Sequence, residues 1–395
     1  MRLLQAHHYF QGLTPYRVLI ILIWSLTPIL YYFRIFWMRL PIVGSFYEYL
    51  IPTIIVISIL AALKDCLRRL SPIPIVIYFA FVAIYLFDYV FYPMNNQYMD
   101  EEGINFLLYS LPLLFIGATI NIKESWDDLY AVSFLSIIAF GLFKALLNYV
   151  GFESDTLQKG DMNGAYQLLP HLLLCIWGLF RKVNIWRVII VIYGFFLLLG
   201  QGNRGSVLSL LVFIILYVFI VFKGKSAFKV RISFLLFSIA LYFFMDSVML
   251  FLFDTMQDYG FSVRLFDKYI NGEIEDSSGR DALYSIAADA ISNSPIFGYG
   301  LFADRRICGN GYVHNFVLEI LIDFGPILGV FFIGLLLFRY IKVTFKFDDF
   351  NKAFSILLLC NGIIPLLFSR SYLTSMFFFF LIGFITNNNL IKVHK

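Results

Sequence analysis

Three basic side chains occur where polar segments of the sequence meet apolar ones. His314 ends the polar segment "CGNGYVH" and directly precedes a long apolar run. Arg280 lies in "SSGRD" and Arg204 in "GQGNRGS", two further polar segments. A guanidinium binds anions through paired hydrogen bonds, and a neutral imidazole accepts a proton near pH 7. These residue types together indicate anion binding combined with general base catalysis.

Each of the three residues also has a structural interpretation, which stays open at this point. A histidine at a helix start serves as a cap or an interface residue, and an arginine at the end of a membrane helix extends its charge to the interface. Arg280 also has acidic neighbours that would hold its loop in place: Glu275, Asp276 and Asp281.

The composition indicates the elements that must position these residues. Hydrophobic residues make up 60% of the 395-residue chain, and the mean hydropathy is +0.81. Charged residues make up 14%, against about 25% in soluble domains. The chain is therefore predicted to lie in a lipid bilayer, and its net charge of +4 is too small to indicate a nucleic-acid partner.

About twelve apolar runs are long enough to cross or nearly cross a bilayer. They are continuously apolar, which is typical of helices and not of barrel strands. The sequence thus predicts an all-α integral membrane protein with about 12 transmembrane helices. The runs are Val18–Phe36, Ser45–Leu63, Ile73–Tyr92, Ile104–Ile120, Leu129–Val150, Tyr166–Phe180, Trp186–Gly200, Ser206–Phe222, Ile232–Phe253, Phe316–Phe338, Phe354–Phe368 and Tyr372–Ile385.

The short loops predict the orientation. Loops rich in Lys and Arg all fall on one side if the N-terminus is inside, and this side is the cytoplasm by the positive-inside rule. Both termini are then cytoplasmic, and no cleavable signal peptide is evident. The basic loops are 64–69, 181–187, 223–231 and 339–346.

One connection is much longer than the others. Residues 254–315 contain no membrane-length apolar run, and they form a predicted external loop between helices 9 and 10. The chain therefore divides into transmembrane helices 1–9 over residues 1–253, the external loop, and helices 10–12 over residues 316–395. A bulky polar substrate would find room at this loop.

Local patterns place the two arginines. Residues 277–295 read as an amphipathic helix that begins near Ser278 and ends at Pro295, with Arg280 on its apolar face. An arginine in a first helical turn shares its anion with the free N–H groups there. Arg204 lies in a polar turn, 201–206, that follows a short apolar run, so it is predicted to be a partly buried charge near the outer boundary.

Further polar groups fall within or beside the apolar runs. Lys144 lies in the outer half of the fifth run, and Arg370 lies in "SRSY" as a candidate phosphate contact. Glu319 and Asp323 are spaced i, i+4 in line with Asn315, and they are expected to pair with each other, with Lys144 or with Arg370. His171 is interpreted as a core residue.

Several kinds of site have no matching motif. The sequence has no D-x-D, P-loop, H-E-x-x-H or nucleophile elbow. Its four cysteines are widely scattered, which argues against a disulfide and a multi-cysteine metal site. We therefore expect no metal and no cofactor.

The segments "SSGRDALYSIAADAISNSPIFGYGLF" and "HNFVLEILIDFGPILG" resemble the signature region of the bacterial O-antigen polymerase and O-antigen ligase superfamily. An arginine segment there leads to a P-x-x-G-x-G turn, here Pro295, Gly298 and Gly300, and then to a His-Asn pair. "GQGNRGS" resembles the family's "SRG" segment, with Asn203 where serine is usual.

The resemblance implies a metal-independent, inverting membrane glycosyltransferase in the bacterial inner membrane. His314, Arg280 and Arg204 would be its catalytic residues, and the two arginines, Arg370, Asn315 and Lys144 would bind substrate. Its partners would be an undecaprenyl-diphosphate-linked oligosaccharide, the lipid bilayer, a chain-length regulator and a flippase. The implied reaction is polymerisation of repeat units into O-antigen or a capsule-type polysaccharide.

Two alternatives remain. A ligase would use the same chemistry with lipid A-core as the acceptor. A twelve-helix secondary transporter would show two similar six-helix halves and a central cytoplasmic link, whereas the central link here is the short segment 181–187.

Overall fold

The computed structural model describes residues 14–25, 64–149, 162–224, 227–258, 280–309 and 311–387, together with residues 53, 57 and 60–62. Throughout these ranges the regular secondary structure is helical, which confirms the predicted all-α class. In the described residues, six segments are long and apolar enough to cross a membrane: Pro72–Phe91, Pro93–Thr119, Ile122–Leu146, Arg204–Val221, Phe316–Thr344 and Asp349–Leu367. The chain is a multi-pass membrane protein.

The α-helices named below are numbered in chain order, and residues 64–69 are also helical. They are α1 (Pro15–Ser25), α2 (Pro72–Phe91), α3 (Asn96–Ile104), α4 (Leu113–Thr119), α5 (Ile122–Tyr149), α6 (Met162–Arg181), α7 (Ile185–Leu199), α8 (Arg204–Leu216), α9 (Ala227–Phe243), α10 (Met245–Asp258), α11 (Arg280–Ser292), α12 (Ala303–Ile307), α13 (Phe316–Thr344), α14 (Asp349–Gly362) and α15 (Met376–Thr386).

Two helical boundaries differ from the predicted ones. The single predicted run Ile232–Phe253 is interrupted at Phe244, which separates α9 from α10. Residues 96–103, predicted as a loop, form most of α3. The number of membrane crossings stays a prediction, because Val18–Phe36 and Ser45–Leu63 lie largely outside the described residues.

Polar caps explain where several helices begin. The side chain of Asn184 accepts a hydrogen bond from the backbone N–H of Trp186 (2.7 Å) at the start of α7. Asn203, Asn315 and Asp348 cap α8, α13 and α14 in the same way. An Asn or Asp cap satisfies backbone N–H groups that have no partner inside the helix.

The centre of the bundle is the contact between α4 and α15. A Cβ at Gly117 would lie 2.0 Å from the carbonyl oxygen of Phe380, and one at Gly383 would lie 2.0 Å from that of Leu114. Only glycine permits this approach of two backbones, as is common between membrane helices. The short helix α15 is therefore buried by its neighbours over most of its length.

The long helix α13 is broken at Gly325, where φ is 76° and ψ is 166°. Pro326 follows, and it has no N–H to donate to the carbonyl of Ile322. The backbone N–H of Tyr299 donates to this carbonyl instead (2.9 Å), and the N–H of Gly300 donates to the carbonyl of Asp323 (3.1 Å). The Gly-rich turn before α12 thus completes the hydrogen bonding of the broken helix.

The predicted basic loops meet at one end of the bundle, which we call the basic end. The opposite end holds the turns at 92–95, 200–203, 293–315 and 368–375, and we call it the site end. The loops of the basic end are joined by ion pairs: Arg69–Glu124 (3.1 Å), Lys123–Asp348 (2.8 Å) and Lys223–Asp349 (2.6 Å).

Candidate active site

His314 lies in the turn that leads into α13 and has a left-handed backbone conformation. Its φ is 56°, in a region that costs a non-glycine residue about 1–3 kcal/mol. The next residue, Asn315, accepts hydrogen bonds from the N–H groups of Val317 (2.9 Å) and Leu318 (3.3 Å). The cap determines where α13 begins, and the strained residue before it orients the imidazole.

The imidazole of His314 is partly buried and packs against the ring of Tyr312, with 4.1 Å between the ring centroids. Burial lowers the pKa of His314, and the positive charge of Arg280 lowers it further. Asp304 opposes this shift and Arg305 adds to it. Within the described part of the chain, the buried Nδ1 has no hydrogen-bond partner. The ring is therefore neutral at pH 7 and has a nitrogen that can accept a proton.

Arg280 is the first described residue of α11, whose packing against α13 brings this arginine near His314. The helix ends at Ser292, before the predicted end at Pro295. The predicted start near Ser278 lies outside the described residues, as do Glu275 and Asp276. Ala287, seven residues after Arg280, is buried between α11 and its neighbours, and Arg280 is partly buried on the same face. Ala287 and Arg280 thus lie on the packed face as predicted, whereas Ile286, which was expected on the same face, is 42% exposed.

Arg204 begins α8 at the site end. Asn203 caps this helix by accepting from the N–H groups of Gly205 (2.9 Å) and Ser206 (3.3 Å). Asparagine and serine are both good N-cap residues, so the departure from the "SRG" segment is compatible with this helix start. Arg204 itself is exposed, whereas Gln201 and Asn203 beside it are buried. The prediction of a partly buried Arg204 is wrong, because the cap turns the short side chain inward and the arginine outward.

A series of contacts connects the start of α8 with His314. Gly205 leaves room for the hydroxyl of Tyr166, since a Cβ there would lie 2.4 Å from this oxygen. Tyr166 is hydrogen-bonded to the side chain of Ser369. Tyr312, the ring partner of His314, donates to the backbone carbonyl of Ser369 (2.5 Å). The segments of Arg204 and His314 therefore meet through two tyrosines and one serine.

Arg370 lies beside this series of contacts. Its guanidinium carbon is 4.6 Å from the centre of the Tyr166 ring, and its charge acts on Tyr312. Burial raises the pKa of Tyr312, so its phenol keeps its proton at neutral pH. Stacking on Tyr166 thus holds Arg370 at the site end, where the sequence predicts a phosphate contact.

Lys144 is buried in α5 and donates from Nζ to the carbonyl of Gly200 (3.3 Å). Gly200 follows the last residue of α7, where unpaired carbonyls and the helix dipole favour a cation. This contact supports the turn between α7 and α8, and hence the start of α8 at Arg204. The predicted contact between Lys144 and the substrate stays a prediction.

Arg305 is the main charged residue that sequence reasoning missed. It is 2% exposed and contacts three carboxylates: Asp304 (2.6 Å), Glu319 (2.8 Å) and Glu102 (3.0 Å). Burial alone would lower the pKa of Arg305, but these carboxylates raise it well above its ordinary value. The signal was available, because a carboxylate such as Glu319 in an apolar helix needs a cation nearby.

The partners of Glu319 and Asp323 differ from the expected ones. Glu319 accepts hydrogen bonds from Arg305, from the hydroxyl of Ser371 and from the backbone N–H of Tyr372 (3.1 Å). Asp323 accepts from the hydroxyl of Tyr372 (2.8 Å). The expected pairing with Arg370 is therefore wrong, and these carboxylates join α13 to the segment before α15. His171 is buried and lies 3.1 Å from the hydroxyl of Ser133, as a core residue.

Two polar residues of the α2 end hold the Gly-rich turn in place. Asp88 accepts from the N–H of Leu301 (2.7 Å), and Asn95 donates to the carbonyl of Tyr299 (2.8 Å). Asp304, just beyond this turn, accepts from the N–H of Val313 (3.1 Å). The turn, α12 and the residue before His314 are thus bonded into one unit.

A cavity of about 290 Å³ opens beside this unit at the site end. It lies between α3, α6, Tyr312 and the segment that leads into α15. Its wall includes charged, amide, hydroxyl and aromatic side chains: Glu102, Asn163, Gln167, Arg305, Tyr312, Arg370, Ser371, Thr374, Met376 and Phe377. The arrangement combines a neutral base, several guanidinium groups and a polar cavity, which suits group transfer to a hydroxyl acceptor.

Comparison with protein families gives a match. The family model described as O-antigen ligase matches residues 172–333, which run from α6 to the middle of α13 and include Arg204, Arg280 and His314. Searches of curated proteins and of solved structures found no match. The matched segment confirms the resemblance inferred from the motifs: over residues 172–333 the chain is similar to the O-antigen ligase and polymerase superfamily.

Proposed function

We propose that the chain is a polymerase that transfers a glycan from undecaprenyl diphosphate to another undecaprenyl-linked repeat unit. One observation carries the proposal. Among the described residues, His314 has a buried Nδ1 without a hydrogen-bond partner, and the charge of Arg280 acts on the same ring. A neutral base beside a guanidinium is what transfer from a lipid diphosphate to a hydroxyl requires.

The arginines bind the donor. Arg280 and Arg204 form paired hydrogen bonds to the diphosphate oxygens and stabilise the charge that grows as the sugar–phosphate bond breaks. The free N–H groups at the start of α11 add to the attraction. Arg370 and Lys144 supply further positive charge at the site end, and Asn315 contributes its amide N–H groups. Because the diphosphate is already a good leaving group, this chemistry needs neither a metal nor a nucleotide.

His314 activates the acceptor. Its imidazole takes the proton of an acceptor hydroxyl while the hydroxyl oxygen attacks the anomeric carbon. The bond from this carbon to the diphosphate oxygen breaks, and undecaprenyl diphosphate leaves with the electron pair. Attack from the face opposite the leaving group inverts the configuration at the anomeric carbon.

The second candidate is a ligase that transfers the glycan to lipid A-core. The description of the matching family model, O-antigen ligase, favours it. The donor, the base and the arginines would have the same roles, and only the acceptor would differ. The identity of the acceptor is therefore the property to test.

The proposed setting follows from the two ends of the bundle. The basic end faces the cytoplasm by the positive-inside rule, so both termini are cytoplasmic and the site end faces the outer side of the bacterial inner membrane. In this setting the segment between α10 and α13, which the sequence predicts as the large external loop over residues 254–315, would face the outer side of one membrane domain. A flippase would deliver the lipid-linked repeat unit to this side, and a chain-length regulator would act on the product.

Complementation of a strain that lacks this gene tests the proposal, with the surface glycan separated on a gel. We expect the wild type to restore long chains, and His314→Ala and Arg280→Ala to leave a single repeat unit. The matched control is Arg68→Ala, an exposed arginine at the basic end, which should restore long chains. Membrane levels of all variants are compared by immunoblot.

The possible results separate the candidates. Single repeats in the deletion strain that lengthen only with the wild type support the polymerase. Long lipid-linked chains that accumulate without reaching lipid A support the ligase instead. Full restoration by His314→Ala and Arg280→Ala would contradict both catalytic roles.

A further inference from the structure

The cavity at the site end has the size and the lining of a carbohydrate subsite. Its volume of about 290 Å³ lies at the lower end of the range of ordinary ligand sites, about 300–1,000 Å³. This is room for one or two sugar rings and not for a whole repeat unit or a lipid chain. Any ligand here is therefore a small part of a larger substrate.

The charges of the wall favour a neutral ligand over an anion. Arg305 is already bound to three carboxylates, including Glu102, which also lines the cavity. Its guanidinium therefore attracts a further anion only weakly, and Glu102 repels one. Arg370, stacked on the ring of Tyr166, keeps its positive charge, but Glu102 in the same wall opposes its attraction for an anion. A diphosphate is thus a poor ligand for the cavity.

The remaining wall residues suit the hydroxyl groups and the ring of a sugar. Asn163 and Gln167 supply amide donors and acceptors from successive turns of α6, and Thr374 supplies a hydroxyl from the opposite side. Tyr312 and Phe377 supply aromatic rings. A small number of polar groups placed between aromatic surfaces is the usual construction of a specific ligand site.

Tyr312 relates the cavity to the base. Its side chain lines the cavity, and its ring packs against the imidazole of His314 at a centroid distance of 4.1 Å. A sugar in the cavity is therefore separated from the imidazole of His314 by one side chain, that of Tyr312. The diphosphate of the donor belongs with Arg280 and Arg204, which do not line the cavity.

We propose that this cavity binds a neutral sugar ring of the acceptor glycan, and that Gln167 and Thr374 select that sugar. The inference rests on the proposed function, because it takes His314 as the base. The acceptor hydroxyl loses its proton to His314 and forms the new glycosidic bond, and the cavity takes no part in bond breaking. Gln167 is thus a specificity residue and not a catalytic one.

The test uses the purified full chain in lipid nanodiscs and two separate substrates. The donor is the undecaprenyl-diphosphate-linked repeat unit, and the acceptor is the same repeat unit as an alkyl glycoside, which has no diphosphate and cannot donate. The KM for each substrate and the rate at saturation are measured for the wild type, Gln167→Leu and Thr374→Val. The matched control is Gln97→Leu, an exposed glutamine of α3 outside the cavity.

Loss of one hydrogen bond to the sugar should raise the acceptor KM of Gln167→Leu about tenfold. Its donor KM and its saturated rate should stay within about twofold of the wild type, as should all values for Gln97→Leu. The near-isosteric Thr374→Val gives a second acceptor KM that does not depend on the folding of Gln167→Leu.

Other results overturn the inference in recognisable ways. Unchanged acceptor KM values in both variants would exclude the cavity as the acceptor subsite. A rise in the donor KM alone would assign the cavity to the donor sugar. If the wild type transfers nothing to the alkyl glycoside, the proposed polymerase function fails, and the inference fails with it.

Discussion

Gly298→Ala should detach the Gly-rich turn from the break in α13. A Cβ at this position would lie 2.3 Å from the carbonyl oxygen of Asp323 and 2.4 Å from the nitrogen of Gly325, and φ is +76°. The left-handed conformation alone costs alanine about 1–2 kcal/mol. The two backbones must also separate, which breaks the hydrogen bonds from Tyr299 and Gly300 and leaves buried carbonyls at about 1–3 kcal/mol each. We expect a local destabilisation of about 3–8 kcal/mol.

Gly309→Ala is the matched control. Gly309 has a similar φ of +70°, but a Cβ there would have no neighbour within 4 Å, so only the conformational cost of about 1–2 kcal/mol remains. Hydrogen exchange of the peptide that covers residues 296–303 measures the free energy of local opening. Protection of this peptide should be largely lost in Gly298→Ala and retained in Gly309→Ala. Equal protection in the two variants would refute the role assigned to the contact between the turn and α13.

Three further predictions concern the base, the buried cluster and a cap. Burial and Arg280 lower the pKa of His314, and the base is neutral above this pKa. The kcat/KM for transfer should therefore fall only once the pH drops below about 6.5, the ordinary imidazole value. A plateau of kcat/KM that begins well above pH 6.5 would contradict a lowered pKa. Arg305→Leu leaves buried carboxylates unpaired and should destabilise the chain by about 3–5 kcal/mol, as measured by thermal unfolding in detergent. Adding Glu319→Gln to this variant should recover part of the lost stability. If no stability is recovered, the interpretation of the charged cluster is contradicted. Asn203→Ser keeps the cap of α8 and should unfold like the wild type, whereas Asn203→Ala should lower the free energy of unfolding by about 1 kcal/mol. Identical melting temperatures of the two variants would show that the cap is not needed.

Local sequence patterns predicted the parts of the fold that depend on residues close together in the sequence. The apolar runs indicated the helical class, and the apolar spacing after Arg280 indicated which face of α11 is buried. The polar segment before His314 indicated a helix start, and the structure has a capped start at Asn315. In each case the deciding interaction lies within one helix or one turn, which is why the sequence alone was sufficient.

The charged cluster could not be predicted from local patterns. Glu102 and Arg305 are separated by 203 positions in the sequence, and their contact depends on how α3 packs beside α12. Glu319 lies within an apolar run, which marks it as a buried charge, whereas Arg305 lies outside the apolar runs. Arg204 was predicted to be partly buried from its position in the sequence, but the cap at Asn203 directs the side chain outward, which only the packing of α8 determines.

The central claim is that His314 is the base of a glycosyl transfer, and transfer by the purified protein tests it most directly. Wild type and His314→Gln, both in nanodiscs, are given the undecaprenyl-diphosphate-linked repeat unit, and lengthened product and bound donor are measured separately. We predict lengthened product with an inverted anomeric linkage for the wild type, and unchanged donor binding with a rate at least about 100-fold lower for His314→Gln. Transfer by His314→Gln at the rate of the wild type would contradict the claim.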